Sequence, residues 1–351
     1  MRNSRFRLPI VFFLRSLAGL LLSTAGVGLS ASSVVAATSV PGEKIEGEIM
    51  WYTTMALDDS SVVVQKFKQK YPAIDIKLFR SNDAKLLERV LAESRARAAI
   101  ADVVSAGTLP IGVLKDKALV ARYTAAEAAA FPLGAKDPDG YWTNIYVNTF
   151  NIAYNTTMVR AEDAPKSYGA LLNIRWKNNV GMDDSDYEWF GNMLQIMGEK
   201  KGLDYMRQLA GLKPTMRAGH SLLATLLAAG EVAVYPDGYP RRIEVLRERG
   251  ARTVDWVWPE QTIAELHPTA IMANAPHPNA ARLFTDYLLS AEGQELIGVQ
   301  LGRVPSRKGV KLKYPRMSIE GHNIYWSNPT LMAEHSARYA ELFQSIFGKP
   351  Q

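Results

Sequence analysis

The segment Tyr235-Pro236-Asp237-Gly238-Tyr239-Pro240-Arg241-Arg242 carries the densest set of groups able to engage a small charged solute. A strand is expected to end at Tyr235. Pro240 suits the first turn of a helix running to Arg249, with Gly250 past its end. A turn from strand into helix presents free backbone N–H groups and the positive end of the helix, which favour an anion. Tyr235 and Tyr239 add phenols, Asp237 a carboxylate and Arg241 a planar charged fork, while Arg242 reads as pointing to water. A second cluster, Asp183-Asp184-Ser185-Asp186, follows an expected strand end at Val180-Gly181-Met182. It reads equally as a pocket loop or a solvated acidic turn, and Asp183 and Ser185 are its candidates for solute contact.

Motifs of catalysis are scarce. The chain has no GxSxG elbow, HExxH pair, Walker loop or GxGxxG turn. His220, His267, His277, His322 and His335 are scattered without an i, i+4 pair, and each reads as a surface or turn histidine. The sequence contains no cysteine, so thiolate metal sites and cysteine nucleophiles are excluded. A binding protein rather than an enzyme is expected; the competing class is an exported hydrolase using Asp183 or Asp184 as a base.

The elements that would position these residues follow an α/β rhythm. Glu48–Tyr52 reads as a strand, Val62–Lys70 as a helix ended by Tyr71-Pro72, and Ile74–Leu78 as a second strand. Ser81-Asn82-Asp83 caps a further helix, and Ala101–Val104 makes a third strand. Thr124–Glu127 fits a capping box. Strand, helix, strand in this order indicates a parallel sheet, whose ligands sit beyond the carboxyl ends of the strands. Tyr52, Thr53, Thr54, Ser105 and Gly107 are therefore candidate pocket walls. From Tyr141 the texture changes to consecutive β segments, Tyr141–Asn148 and Asn151–Asn155, read as the crossover into a second lobe. That lobe holds helices at Leu194–Lys201 and Ser221–Ala229, the latter capped by Gly230, and a strand at Glu231–Tyr235. Thr253–Trp258 and Thr269–Ala273 return to the first lobe, Asn279–Leu289 is an amphipathic helix, and the tail from Lys311 packs outside.

The start of the chain differs from the rest. Arg2, Arg5, Arg7 and Arg15 precede an uncharged apolar stretch that ends in small residues at Ser30–Ala37. This pattern describes a cleaved secretory signal peptide, with an apolar middle shorter than the roughly 20 residues a membrane span needs. The whole chain carries 41 Lys+Arg against 35 Asp+Glu. Without residues 1–37 the balance falls to 37 against 35, so the basic character is largely that of the signal and gives no nucleic-acid footprint. A periplasmic protein without a lipid anchor is expected.

Several short segments, taken in order, resemble a known family. They include Gly47–Thr54, Ala101–Val104, Val147-Asn148-Thr149, Ala153–Thr156, Ala164–Tyr168, Gly230-Glu231-Val232-Ala233, Ala275–Ala281, Tyr287–Gln294 and Gly302–Arg307. From about Gly47 to Val310 the chain is similar to the family 1 extracellular solute-binding proteins of bacterial ABC importers, in the branch that contains ferric-ion binders. The resemblance implies a type II periplasmic-binding fold of the α/β class. Two lobes, each a mainly parallel sheet flanked by helices, would close on a solute at a hinge, in a monomer. The first lobe would comprise 44–142 and 268–351, the second 143–267, with hinges near 141–148 and 258–269.

The resemblance also implies partners: an ABC permease and its ATPase, or alternatively a membrane sensor. Ferric binders of this family use adjacent tyrosines after the strand that Gly230-Glu231-Val232-Ala233 begins. Phenolate oxygens suit a hard trivalent cation. Here the adjacent pair is missing, and Tyr235 and Tyr239 are the candidates for iron as transported cargo; no resident cofactor is expected. The imidazole of some ferric binders is replaced by the Thr53-Thr54 region. Other relatives bind phosphorylated or phosphonate compounds, sugar phosphates and polyamines. Hydroxyl-bearing turns beside a helix N-terminus make a small organic anion the expected solute, with ferric iron as the alternative.

Overall fold

A computed structural model describes residues 46–350; the expected signal segment lies outside them. The chain opens as β1 (Glu48–Thr53), α1 (Leu57–Lys70), β2 (Asp75–Arg80), α2 (Asp83–Arg95), β3 (Val103–Ser105) and α3 (Thr108–Asp116), in the anticipated βαβ order. It continues through β4 (Thr143–Asn155), β5 (Gly181–Asp183), α4 (Tyr187–Met197), α5 (Glu199–Gly211), β6 (Thr215–Arg217) and α6 (His220–Ala229). Next come β7 (Val234–Gly238), α7 (Pro240–Glu248), β8 (Val254–Val257), β9 (Thr262–Ile271), α8 (Pro278–Leu289) and α9 (Ala291–Glu295). The last elements are β10 (Val304–Pro305), β11 (Ile324–Trp326) and α10 (Pro329–Phe347). No helix among the described residues is long and apolar enough to cross a membrane.

The two lobes share one strand. β2, β1 and β3 run parallel, and β3 pairs antiparallel with β9. β9 in turn pairs antiparallel with β4 over Thr143–Phe150, while Asn151–Asn155 of β4 pair with β7 and β8. The partner change at Phe150–Asn151 carries the chain from the first sheet into the second. There β7 leads to β5 through the Val180–Val234 bridge, and β5 pairs with β6. Thirteen residues of β4 are therefore almost wholly buried, as expected for a strand covered on both faces.

Aromatic residues fix each lobe. Under the first sheet, Phe284 of α8 meets Trp51 and Phe67 edge-on, each with centroids 5.1 Å apart. In the second lobe, Phe190 of α4 meets Phe343 of α10 at 5.7 Å. Helix α10 is thus more than an outer tail: it buries Met332, Tyr339 and Phe343, and packs on both α3 and α4.

Two local expectations change. The helix read at Leu194–Lys201 is two helices, because Gly198 between them adopts a left-handed φ of 77° that the other residues would resist. The capping box at Thr124–Glu127 opens only a single 3₁₀ turn, Ala128–Ala130, without a side-chain cap. Pro132 shortly afterwards prevents a longer helix.

Candidate functional site

A cavity of about 440 Å³ lies where the turns after β1 and β3 and the start of α2 face the turns leading into α4, α6 and α7. Its walls include Thr54, Asn82, Asp83, Asp183, Ser185, His220, Tyr239, Arg241 and Glu265. The carboxyl ends of the first sheet do open on it, as a parallel α/β sheet requires. Contacts cross the cavity: Asn82 Nδ2 donates to Ser185 Oγ at 3.4 Å, and the Leu109 N–H donates to Glu188 Oε2 at 3.0 Å.

The candidates from the first lobe divide. Thr54 lines the cavity and its side chain hydrogen-bonds Asp83. Gly107 stands between two carboxylates: its N–H donates to Asp83 Oδ1 at 3.0 Å, and a Cβ there would collide with Asp83 and Glu265. Tyr52, Thr53 and Ser105 do not reach the cavity. Tyr52 points across the sheet, where its hydroxyl donates to Glu93 Oε1 at 2.7 Å and accepts from Arg89. Thr53 Oγ1 accepts the Met55 N–H, and Ser105 Oγ bridges Trp51 Nε1 and Thr269 Oγ1. These three side chains, all inside β1 and β3, are consumed by internal hydrogen bonds, and Thr54, just past the end of β1, is left to face the cavity.

The second-lobe candidates also divide. Asp183 and Ser185 line the cavity, but the Asp183 carboxylate is already engaged. It accepts from the Ser185 N–H, the Ser185 hydroxyl and the Gly219 N–H. The strand expected to end at Tyr235 runs on to Gly238, so Tyr235 and Asp237 sit inside β7, both fully buried. The Tyr235 phenol hydrogen-bonds His220 Nδ1, and Asp237 Oδ2 accepts the Asp183 N–H at 3.0 Å. Tyr239 faces the cavity and its hydroxyl donates to Glu265 Oε2 at 2.7 Å. Burial pushes the phenols of Tyr235 and Tyr239 well above the usual range, so neither gives up its proton readily.

Two departures concern arginine. Arg241 borders the cavity but is already held: its Nε donates to the Leu301 carbonyl at 2.8 Å and its Nη2 to Asp59. Asp59 also takes Arg303, from Nε at 2.9 Å and Nη2 at 2.6 Å. Burial, followed by the neighbouring Arg303 charge, lowers the Arg241 guanidinium to about 10. Arg242 does not point to water; it lines the cavity, with Nη1 at 3.5 Å from Asp58.

Carboxylates without such partners collect opposite. Asp186 caps α4 by accepting the Trp189 N–H at 2.9 Å through Oδ1, while its Oδ2 has no hydrogen-bond partner. Asp237 Oδ1 is likewise unpartnered. Burial, then mutual repulsion, pushes the acids up: Asp186 beside Asp237 and Asp183, and Asp237 beside Asp183. Glu265 rises in the same way, through burial and then Glu188 and Asp83. Buried like charges raise one another in this manner.

Histidines contribute more than their scatter in sequence suggested. His267 is buried and stacked on Tyr146, with centroids 4.2 Å apart. His220 stands among Asp186, Asp237 and Tyr235, with ligand atoms of Asp186, His220 and Asp237 all within 4.8 Å of one another. These three residues come from three elements, so no sequence spacing unites them. Asp83 and Glu265 were missed because each sits alone in a helix start or a buried strand. A glutamate two residues before His267 in the wholly buried strand β9 was the available signal for the latter.

The architecture matches solved proteins. HitA from Pseudomonas aeruginosa, determined with iron bound, aligns over 86% of this chain and 99% of its own, with a TM-score of 0.76 and 19% identity. AfuA from Actinobacillus pleuropneumoniae, a periplasmic binding protein determined with exogenous fructose-6-phosphate, gives 0.78 over 86% and 99% at 20% identity. An uncharacterised protein of Haemophilus influenzae is 23% identical over 294 residues, 77% of this chain and 81% of that protein. The two structural likenesses carry the fold: two α/β lobes of the type II periplasmic-binding class around a central cleft. Residues 63–333 match the profile of a family described as bacterial extracellular solute-binding protein, and this chain belongs to that family.

Proposed function

We propose that this chain is the periplasmic capture component of an ABC importer, and that the solute it takes carries positive charge. It closes its lobes over the solute and offers the closed form to a permease driven by its ATPase; no bond in the solute is broken. We take 44–142 with 268–351, and 143–267, as the lobes, with β4 and β9 as the connecting strands and α10 crossing over to pack Phe343 on Phe190 of the second lobe. The observation that carries the charge reading is the lining of the cleft. Asp83, Asp183, Asp186, Glu188 and Glu265 face it, with Asp237 just behind. Of the basic residues that also line it, Arg241 and Arg303 are held by Asp59, Arg242 lies beside Asp58, Arg80 donates to the Met55 carbonyl, and Lys117 stands at its edge. Burying that many carboxylates is costly unless a cation arrives. We therefore favour a cation over the small organic anion that the sequence suggested. Ferric iron falls in the same charge class; of the two phenols only Tyr239 faces the cavity, and it would have to exchange its bond to Glu265 for the ion.

Thermal unfolding of the full chain against a small panel tests this. Spermidine or a metal chloride at about 100 times its Kd should add about 2.7 kcal/mol, a rise of several degrees for a protein of this size. Small-angle scattering should show a smaller radius of gyration, as closure on a shared ligand requires. Stabilisation by fructose-6-phosphate or methylphosphonate, with no response to cations, would overturn the charge reading.

A further inference from the structure

We propose that Asp186, His220 and Asp237 form a seat for one divalent transition-metal ion at the floor of the cleft. The proposal rests on the cationic reading above and narrows it to a class of ion and to three ligands from one lobe. Nothing in the sequence groups these residues; the fold does. Asp186 precedes α4, His220 opens α6, and Asp237 lies in β7.

Each carboxylate is held by one oxygen and leaves the other bare. Asp186 Oδ1 accepts the Trp189 N–H, and Asp237 Oδ2 accepts the Asp183 N–H. The remaining oxygens, Asp186 Oδ2 and Asp237 Oδ1, have no hydrogen-bond partner, though Asp186 is only 9% exposed and Asp237 0%. His220 is oriented by Tyr235 at Nδ1, by a hydrogen bond with the Asp237 backbone, and by the Tyr239 ring packed on the imidazole with centroids 3.9 Å apart. Its Nε2 is left facing Asp186 Oδ2 at 3.7 Å. An imidazole whose other nitrogen is anchored is the usual arrangement of a metal-binding histidine.

Two bare carboxylate oxygens turned toward an imidazole nitrogen repel one another unless something positive sits between them. Buried polar atoms are mostly satisfied, so two orphaned oxygens converging beside an imidazole point to an occupant. A divalent ion about 2.1 Å from each ligand spans at most about 4.2 Å between ligands. The observed spread of up to 4.8 Å closes to that with small side-chain rotations. One imidazole with two carboxylates selects a first-row divalent ion such as Mn²⁺ or Zn²⁺ over Ca²⁺ or Mg²⁺, which prefer oxygen alone. Asp183 is not a fourth ligand, because both its oxygens are taken by Ser185 and Gly219. Asp186 and His220 also line the cavity, so the ion's open positions face the solute space.

The test uses the full chain without a tag, stripped with EDTA and dialysed. It is titrated with MnCl₂ and with ZnCl₂ by calorimetry, and native mass spectrometry counts the ions. The expected result is one ion per chain. D237N and H220Q should each weaken binding at least tenfold, with the unfolding temperature of the metal-free D237N protein not lowered. A wild-type protein that takes neither ion overturns the seat, as does equal affinity in wild type and both variants. If spermidine still stabilises such a protein, the cationic reading stands without the seat; if it does not, both fall.

Discussion

Two buried charge clusters border the same cavity and obey opposite rules. At one, Asp59 is shared by Arg241 and Arg303, and the Arg241 Nε is also taken by a backbone carbonyl. At the other, Asp186 and Asp237 each leave an oxygen without a partner and His220 supplies no fixed charge. The Asp59 cluster balances its charges internally, leaving only Arg241 Nη1 without a partner, and ties α1 to α7 and to the segment after α9. The Asp186 cluster is incomplete and leaves its balance to whatever enters. Buried ion pairs cost much to break and little to keep, whereas buried unpaired acids cost something at all times. A cluster of the first kind belongs to the architecture. One of the second kind must either stay protonated, as burial favours for Asp186 and Asp237, or receive its missing charge from outside.

The largest expected effect tests the first half of this contrast. Asp59→Ala leaves two buried guanidiniums without a counter-charge, and should cost roughly 3–5 kcal/mol of stability in urea unfolding. The loss should change little in high salt, since a buried pair is poorly screened. A loss below 1 kcal/mol would mean that water or Asp58 serves the arginines equally well, and the distinction between the clusters would collapse.

The second half predicts the opposite sign. Asp237→Asn keeps an oxygen for the Asp183 N–H and removes a charge the metal-free protein does not want. Its unfolding free energy should be unchanged or higher by about 1 kcal/mol. Placing a similarly large loss at both Asp59 and Asp237 would show the second cluster to be internally satisfied after all.

The same contrast explains what the sequence disclosed. The βαβ rhythm, the Asn82 cap, Pro240 at the start of α7 and the Gly230 cap are local signals, and each stands where expected. Thr54, Asp183, Ser185 and Tyr239 were placed near the cleft by the rule that ligands gather at strand ends. Tyr52, Thr53 and Ser105 lie within the strands and do not line the cavity, because their side chains are taken by Glu93, the Met55 N–H and Thr269, partners that the local sequence does not disclose. The charge of the cleft was invisible for a different reason. Asp83, Asp186, His220, Glu265 and Asp59 are far apart in the chain, and whether a carboxylate is paired depends on tertiary contacts alone. Arg241 looked like a free fork for an anion until Asp59, 182 residues away, was found on it.

The smallest effect separates the two histidines. His220 faces carboxylates, whereas His267 is stacked on Tyr146 in a pocket whose charged neighbour is Arg303. Burial first, and then Arg303, holds the His267 imidazole well below its usual range, so it is neutral in the folded protein. The unfolded chain binds a proton there near pH 6.5. Below that pH the unfolded state is therefore favoured, and the stability His267 contributes is lost as pH falls. His267→Gln removes this slope without adding charge beside Arg303. Between pH 7 and 5.5 the wild type should lose roughly 1 kcal/mol more than the variant in urea unfolding. The cleft carboxylates titrate in both proteins and cancel in the difference. Equal pH slopes would place a proton on His267 in the folded state, which a neighbouring guanidinium opposes unless the Arg303 charge is drawn away by Asp59 more completely than the pairing implies.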